Sequence, residues 1–173
     1  MEIRTEQQED YPQIYEIVKN AFAHAEHTCG REQDIINDIR KSENYIKELS
    51  VVATENSKIV GYAIASKMWI TDGENKVESL VLGPVATTRE KQRKGIASAL
   101  VRELIKRAKE MKFPHITVFG DTHLYSRFGF VQSIDYDVHS FFECDPKLCM
   151  IMELTKDGLK GVRGIISYPP YFQ

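Results

Sequence analysis

The segment from Leu82 to Ala108 constrains the fold more than any other part of this sequence. The apolar run Leu82–Ala86 is followed by a polar, basic turn and then by Gly95. After Gly95, apolar residues recur at the spacing of an amphipathic helix. The apolar stripe comprises Ile96, Leu100, Val101, Leu104, Ile105 and Ala108. A strand that leads directly into a long helix indicates a layered domain in which helices cover a sheet.

Hydrophobic periodicity and turn residues predict the remaining elements. The predicted strands are Glu2–Thr5, Leu49–Thr54, Lys58–Trp69, Val77–Ala86, His115–Phe119, a strand after Gly129, Met150–Leu154 and Gly161–Tyr168. The other predicted helices are one that begins near Glu9, one at Arg31–Lys41 and a short one at Thr122–Arg127. Antiparallel hairpins followed by a strand–helix–strand crossover indicate an α/β protein, with a mixed sheet and helices on both faces.

Length and composition favour one soluble domain over residues 1–173. The chain is 42% hydrophobic and 28% charged, with a net charge of −2 that argues against a general nucleic-acid binder. No apolar run approaches the roughly 20 residues needed to span a bilayer, and the N-terminus lacks a signal-peptide pattern. The odd number of cysteines, three, without CxxC spacing favours neither a disulfide framework nor a zinc site. We expect a cytoplasmic protein without a membrane partner.

The turn before the long helix has the composition of a phosphate cradle. A helix start offers up to about four unpaired N–H groups and the positive end of the helix dipole. Gly95 and Ala97 keep side chains small there, and Lys91, Arg93 and Lys94 add positive charge. The alternative is an ordinary helix start whose basic residues form a solvated face.

The spacing Gln92-x-x-Gly95-x-Ala97 resembles the pyrophosphate-binding signature of GNAT-superfamily N-acetyltransferases. The preceding Leu82-Gly83-Pro84-Val85-Ala86 is similar to the family's strand, in which a bulge splays the sheet. The C-terminal segment 158–172 extends the resemblance to the YhbS-like branch over almost the whole length. The resemblance implies a single GNAT domain with a splayed mixed sheet, and acetyl-CoA as acetyl donor.

The same resemblance implies which residues hold the cofactor. Its pantetheine arm would pair with the backbone of Val85 and Thr87, and the Val85 amide would stabilise the oxyanion. The implied cofactor-binding residues are Val85, Ala86, Thr87, Gln92, Arg93, Lys94, Gly95, Ile96 and Ala97. The sequence departs from the family pattern at Arg89, where proline is frequent, and at Arg93, where glycine is frequent. Arg93 adds charge and is compatible with binding through the backbone.

The ending Tyr125-x-x-x-Gly129-Phe130 resembles the family segment that places a tyrosine beside the cofactor sulfur. A phenol with a pKa near 10 stays protonated at neutral pH and can donate to a departing thiolate. Our hypothesis is that Tyr125 is the general acid. The alternative is an aromatic core residue that caps the short helix.

A general base is needed if the acceptor amine arrives as an ammonium ion, because a lysine-like amine has a pKa near 10.4. Glu78 is the first candidate, since it lies on the predicted strand upstream of the cofactor-binding residues. The alternative for Glu78 is an exposed strand carboxylate. Asp121 and His123, in the loop before Tyr125, are the other candidates.

The link between the first two helices is rich in polar and titratable residues. These are His24, Glu26, His27, Cys29 and Glu32. By the resemblance, this link forms one wall of the acceptor cleft. The spacing His24-x-x-His27-x-Cys29 invites a metal-site interpretation, but no partner pair follows at a zinc-site interval, so no metal is predicted.

These observations predict direct transfer of an acetyl group from acetyl-CoA to a primary amine of a small molecule or peptide. A covalent acyl-enzyme is not favoured, because Cys144 and Cys149 lie beyond the predicted cofactor groove. Two alternatives stay open at this point: a non-catalytic acyl-CoA sensor or interaction protein, and transfer of a longer acyl chain. A homodimer is also left open.

Overall fold

The computed structural model describes residues 1–25, 28–142 and 145–172. The strands are β1 (Glu2–Thr5), β2 (Ser50–Glu55), β3 (Lys58–Asp72), β4 (Asn75–Thr87), β5 (His115–Phe119), β6 (Val131–Gln132), β7 (Val138–Ser140), β8 (Cys149–Glu153) and β9 (Gly164–Ser167). The helices are α1 (Tyr11–Phe22), α2 (Glu32–Lys41), α3 (Ile96–Glu110) and α4 (Thr122–Ser126). The α/β class with a mixed set of strands is therefore confirmed.

The chain divides into two compact units. Unit 1 comprises Met1–Ala65 and Gly83–Arg107, and unit 2 comprises Ser66–Leu82 and Ala108–Gln173. The strands β3 and β4 and the helix α3 each contribute residues to both units. The expectation of a single domain over residues 1–173 stays a prediction.

In unit 1, three strands pair in sequence order around an apolar centre. β2 is antiparallel to β1, with Thr5 opposite Val51, and also antiparallel to β3, with Val52 opposite Tyr62. The side chains of Val51 and Val52 point to opposite faces, yet both residues are fully buried. Apolar residues of α1 and α2 are buried in the same unit: Ile14, Ile17, Val18, Ile35, Ile36 and Ile39.

A buried ion pair links Glu6, the residue directly after β1, to Arg40 of α2 in unit 1. The Arg40 guanidinium donates through Nε and Nη2 to the two carboxylate oxygens of Glu6, at 3.1 and 2.5 Å. The Tyr45 hydroxyl donates to Glu6 Oε1 at 2.9 Å, and the guanidinium lies 3.7 Å from the centre of the Tyr11 ring. The Glu6 side chain has no exposed surface. Because this carboxylate is paired on both oxygens, the usual cost of burying a charge is offset.

In unit 2, β5 lies between β4 and β8. Leu80–Leu82 of β4 pair in parallel with Ile116–Val118 of β5, while β8 is antiparallel to β5 and also pairs with β6. Parallel neighbours require a long crossover connection, and α3 lies in the connection between β4 and β5. The predicted strand–helix–strand crossover is therefore confirmed.

The C-terminal segment packs in unit 2. Tyr168 is 8% exposed and stacks on Phe142 with ring centres 5.0 Å apart, and Phe172 lies 5.8 Å from Tyr168. These rings adjoin a core cluster of Met68, Ile70, Val81, Val138, Cys149, Ile151, Leu159 and Ile166. The tail thus closes an apolar core.

Several elements in unit 2 differ from the sequence predictions. The turn after β3 is shorter than predicted, because β3 continues to Asp72 and β4 begins at Asn75. β7 was not predicted, and it pairs in parallel with β9. β9 begins only at Gly164, where a Cβ atom would lie 2.1 Å from the carbonyl oxygen of Thr71. Glycine at this point therefore allows β9 to approach β3.

No helix among the described residues is long and apolar enough to cross a membrane.

A buried polar pair joins β4 to β5. Ser79 Oγ lies 2.6 Å from His115 Nδ1, and both residues are fully buried. His115 Nε2 is buried without a hydrogen-bond partner in the described part of the chain. Burial lowers the pKa of the His115 imidazole from its ordinary 6.5 to about 4.

We predict that His115 makes the protein less stable below neutral pH. The folded state keeps His115 neutral, whereas the unfolded chain takes up a proton below about pH 6.5. The stability is thus fully present above about pH 6.5 and is lost as the pH falls towards 4. Between pH 7 and pH 5 the loss due to His115 should be about 2 kcal/mol. Urea unfolding of the wild type and of His115→Gln at both pH values measures it. Equal pH dependence in the two proteins would contradict the prediction.

Candidate active site

The segment between β4 and α3 forms a cradle of main-chain donors in unit 1. The Thr88 amide donates to the Val60 carbonyl oxygen at 2.9 Å, which anchors the turn to β3. Arg93 and Gly95 then adopt left-handed backbone conformations, with φ of 60° and 80°. The Ala99 amide donates to the Gly95 carbonyl at 3.0 Å, so α3 begins directly after Gly95. By helix geometry, the amides of Ile96, Ala97 and Ser98 lack acceptors within the helix.

The backbone at Gly95 explains why glycine is suited to this position. A Cβ atom there would meet nothing within 4 Å, so the space around Gly95 does not require glycine, and it is the left-handed φ that favours glycine. Arg93 adopts a similar φ without being glycine, with φ of 60°. Left-handed residues interspersed in a turn aim successive N–H groups towards one concave side, and that side favours anions.

The predicted cofactor-binding side chains differ in exposure. Gln92, Arg93, Lys94 and Gly95 are exposed, whereas Ile96 is buried and anchors the first turn of α3. On β4, Ala86 is buried, and its neighbours Val85 and Thr87 are half-buried. Upstream, Gly83–Pro84 is a cis peptide bond.

Of the basic residues near the cradle, Lys91 is already paired. Its Nζ lies 2.5 Å from Glu55 Oε2, and this hydrogen bond is the main cause that lowers the pKa of the Glu55 carboxyl. Within the described residues we find no ion pair at Arg93 or Lys94. The positive charge available to an anion therefore resides at Arg93 and Lys94 rather than at Lys91.

Gly61 of β3 packs against the start of α3, a role that was not predicted from the sequence. A Cβ atom on Gly61 would lie 2.8 Å from Ile96 Cγ2 and 3.0 Å from Leu100 Cδ1. It would also lie 3.2 Å from the carbonyl oxygen of Ala86. Because Gly61 lacks a side chain, the first turns of α3 pack directly against the backbone of β3. The only sequence signal for this close approach of α3 to β3 is the occurrence of Gly61 within a run of apolar residues.

Tyr125 lies in α4, in unit 2. The Asp121 carboxylate caps this helix by accepting hydrogen bonds from the His123 and Leu124 amides, at 2.7 and 3.4 Å. The Tyr125 ring packs edge-on against Phe130, with ring centres 5.8 Å apart. Tyr125 is 8% exposed, and in the described ranges we find no hydrogen bond from its hydroxyl group. Burial first, and then the Asp121 charge, raise the pKa of Tyr125 to about 12, so the phenol stays protonated at neutral pH.

Glu78 lies on β4, also in unit 2, and is a partly exposed strand carboxylate. Its Oε2 lies 3.2 Å from Lys67 Nζ, and 46% of its side chain is exposed. Of the alternative bases, Asp121 is engaged as the helix cap and His123 is exposed. The candidate acid and base thus belong to unit 2, and the cradle belongs to unit 1.

The link between α1 and α2 is described only in part, since Glu26 and His27 lie outside the described residues. Glu32 Oε1 accepts hydrogen bonds from the Thr28 hydroxyl and the Cys29 amide, at 2.7 and 2.8 Å. These contacts hold the loop before α2. In the described ranges, no group of three His, Cys, Asp or Glu residues is arranged to hold a metal ion. Cys144 also lies outside the described residues.

Comparison with known proteins places this geometry in a family. A family model described as "Acetyltransferase (GNAT) domain" matches residues 2–132. The chain is 27% identical to the N-acetyltransferase YhbS of Escherichia coli (strain K12), over 99% of this chain and 98% of that protein. The chain therefore belongs to the GNAT family of acetyltransferases and is an acyltransferase of that family.

Solved structures agree with this assignment. The crystal structure of E. coli YhbS in complex with CoA matches with a TM-score of 0.88 at 25% identity, and covers 99% of this chain and 91% of that chain. A GNAT family acetyltransferase from Brucella melitensis in complex with acetyl-CoA matches with a TM-score of 0.81 at 23% identity, and covers 99% and 97%. The second likeness shows the fold alone. The GNAT fold predicted from the sequence is thus confirmed.

Proposed function

We propose that this protein transfers the acetyl group of acetyl-CoA directly to a primary amine of a small molecule or peptide. The carrying observation is the cradle before α3, where left-handed backbone at Arg93 and Gly95 precedes a helix start with unpaired amides. Family membership supports the reaction class. The E. coli relative solved with CoA and the Brucella one solved with acetyl-CoA support the identity of the donor.

The cradle fits a diphosphate in shape and charge. The amides of Ile96, Ala97 and Ser98 offer donors at the positive end of the α3 dipole. The exposed Gly95 and the half-buried Ala97 leave this surface free of bulky side chains. Arg93 and Lys94 add two positive charges beside it. We propose that Gln92, Arg93, Lys94, Gly95, Ile96 and Ala97 bind the diphosphate.

The strand before the cradle is proposed to bind the rest of the donor. Val85 and Thr87 are half-buried, while Ala86 between them faces the core. Alternation along a strand thus leaves Val85 and Thr87 on the less covered side. We propose that the backbone of Val85, Ala86 and Thr87 holds the pantetheine arm and that the Val85 amide stabilises the oxyanion.

Tyr125 is proposed as the general acid. The thioester supplies an activated acetyl group and a thiolate leaving group. A phenol whose pKa is about 12 keeps its proton until negative charge develops nearby. The hydroxyl has no competing acceptor among the described residues, which supports donation to the departing sulfur.

Glu78 is proposed as the general base that takes a proton from the acceptor ammonium. Its partial exposure gives the carboxylate access to solvent, and its Oε2 lies 3.2 Å from Lys67 Nζ. The engagement of Asp121 as a helix cap also favours Glu78. A cytoplasmic location and the absence of membrane and nucleic-acid partners stay predictions, and so does the choice between monomer and homodimer.

The direct test is to incubate the protein with acetyl-CoA and a panel of primary amines. Release of free CoA thiol together with an acetylated amine, identified by mass spectrometry, is the expected result. Binding of acetyl-CoA without any product would instead favour a non-catalytic acyl-CoA sensor. Longer acyl-CoA donors, assayed in parallel, test the acyl-chain preference.

We predict that Tyr125→Phe lowers kcat by at least about tenfold and leaves the affinity for acetyl-CoA unchanged, because only proton donation is lost. Steady-state kinetics with calorimetry of acetyl-CoA binding measures both quantities. Tyr15→Phe, which removes a hydroxyl that hydrogen-bonds Asp34 in unit 1, serves as the control. A wild-type kcat in Tyr125→Phe would remove Tyr125 from the mechanism.

We predict that Glu78→Gln loses activity most severely below neutral pH, where a smaller fraction of the acceptor amine is unprotonated. The pH dependence of kcat/KM in Glu78→Gln and wild type measures the effect. Glu74→Gln, which removes an exposed carboxylate from the turn between β3 and β4, is the matched control. A wild-type pH profile in Glu78→Gln would exclude Glu78 as the base.

A further inference from the structure

Gly120, which lies between β5 and α4, is in close contact with the Tyr125 ring. A Cβ atom on Gly120 would lie 2.7 Å from Tyr125 Cε2 and 3.4 Å from Cδ2. It would lie 3.8 Å from Cζ, the atom that carries the hydroxyl group. The Gly120 amide donates to the Leu148 carbonyl at 2.9 Å, so the backbone at this point is held in place.

The backbone conformation does not require glycine at position 120. The glycines with left-handed φ are Gly30, Gly73, Gly83, Gly95, Gly129, Gly161 and Gly164, and Gly120 is not one of them. An alanine could therefore adopt the local backbone conformation without strain. What excludes a side chain is the Tyr125 ring.

The Tyr125 ring cannot easily move aside. Phe130 is 2% exposed and packs edge-on against it, and Phe128 lies 6.3 Å away between ring centres. The Asp121 cap fixes the start of the short helix that carries Tyr125. Since these neighbours oppose a sideways shift of the whole ring, a methyl group on Gly120 would instead rotate the ring about the Tyr125 Cβ, and the hydroxyl group at the far end would move most.

We propose that Gly120 is a positioning residue for the acetyl-transfer reaction: its lack of a side chain fixes where the Tyr125 hydroxyl group points. This inference rests on the proposed role of Tyr125 as the general acid. It assigns to Gly120 no contact with substrate or donor. Its effect on the reaction passes entirely through the tyrosine.

The size of the effect follows from the geometry. Ordinary contacts of a Cβ atom begin near 3.4 Å, so the 2.7 Å approach forces the ring to shift by several tenths of an ångström or more. A misplacement of about 1 Å in a reacting group can cost on the order of 100-fold in rate. We expect Gly120→Ala to lower kcat by about 10- to 100-fold, but by no more than Tyr125→Phe does.

The test is a double-mutant cycle with Gly120→Ala, Tyr125→Phe and the double variant. If Gly120 acts through the hydroxyl group, Gly120→Ala lowers kcat in the wild type and causes no further loss in Tyr125→Phe. The affinity for acetyl-CoA should be unchanged throughout. Ser126→Ala, an exposed change on the same helix, should leave kcat unchanged.

Two outcomes overturn the proposal while leaving the role of Tyr125 intact. One is a wild-type kcat in Gly120→Ala; the other is an equal fold-loss from Gly120→Ala in both backgrounds. A wild-type kcat in Tyr125→Phe would instead defeat the proposed function itself. The failures of the two proposals are therefore distinguishable.

A second measurement covers the case in which Gly120→Ala folds poorly. Tyr125→Leu replaces the ring with a smaller side chain and so leaves room for the methyl group that Gly120→Ala adds. The double variant should therefore be about as stable as Tyr125→Leu alone. Thermal unfolding of the four proteins measures this coupling. Equal destabilisation by Gly120→Ala with and without the ring would contradict the proposed contact.

Discussion

The close packing of α3 on the bare backbone of Gly61 is the contact on which the proposed site depends. Ile96 and Leu100 occupy the space that a side chain at position 61 of β3 would fill. This packing fixes the position of the start of α3 relative to β3. The amides of the first turn, which precede any intrahelical acceptor, are fixed with it. A rigid array of donors can bind an anion without a further cost in conformational entropy, which is the physical advantage of this arrangement.

Part of the positive charge around the cradle is neutralised by an ion pair. Glu55 holds Lys91, and Arg93 and Lys94 remain without ion pairs in the described part of the chain. A diphosphate would thus meet backbone dipoles and two exposed cationic side chains. Unit 2 uses an absent side chain in a similar way, since the bare backbone of Gly120 contacts the ring of Tyr125. Neither Gly61 nor Gly120 has a left-handed φ. Each is important because the absence of its side chain lets another side chain pack against its backbone.

Elements that depend on a local pattern of residues are predicted from the sequence. Elements that depend on contacts between residues distant in the chain are not. The local apolar pattern predicts the start of the helix after Gly95 and both ends of the strand His115–Phe119, and the structure agrees with these predictions. The cradle motif is equally local. The Lys91–Glu55 pair joins residues 36 positions apart, and β7 is held by the distant β9, so no local pattern reports them. The roles of Gly61 and Gly120 depend on which ring or methyl group packs against them, which periodicity does not encode.

The most direct measurement of the central claim follows backbone amide resonances while CoA is titrated into the ¹⁵N-labelled protein. We predict that the largest shifts occur at the amides from Arg93 to Ser98. Pantetheine, which lacks the diphosphate, should leave these resonances in place. Saturable binding of CoA with unshifted cradle amides would contradict the account, because the diphosphate would then be held elsewhere.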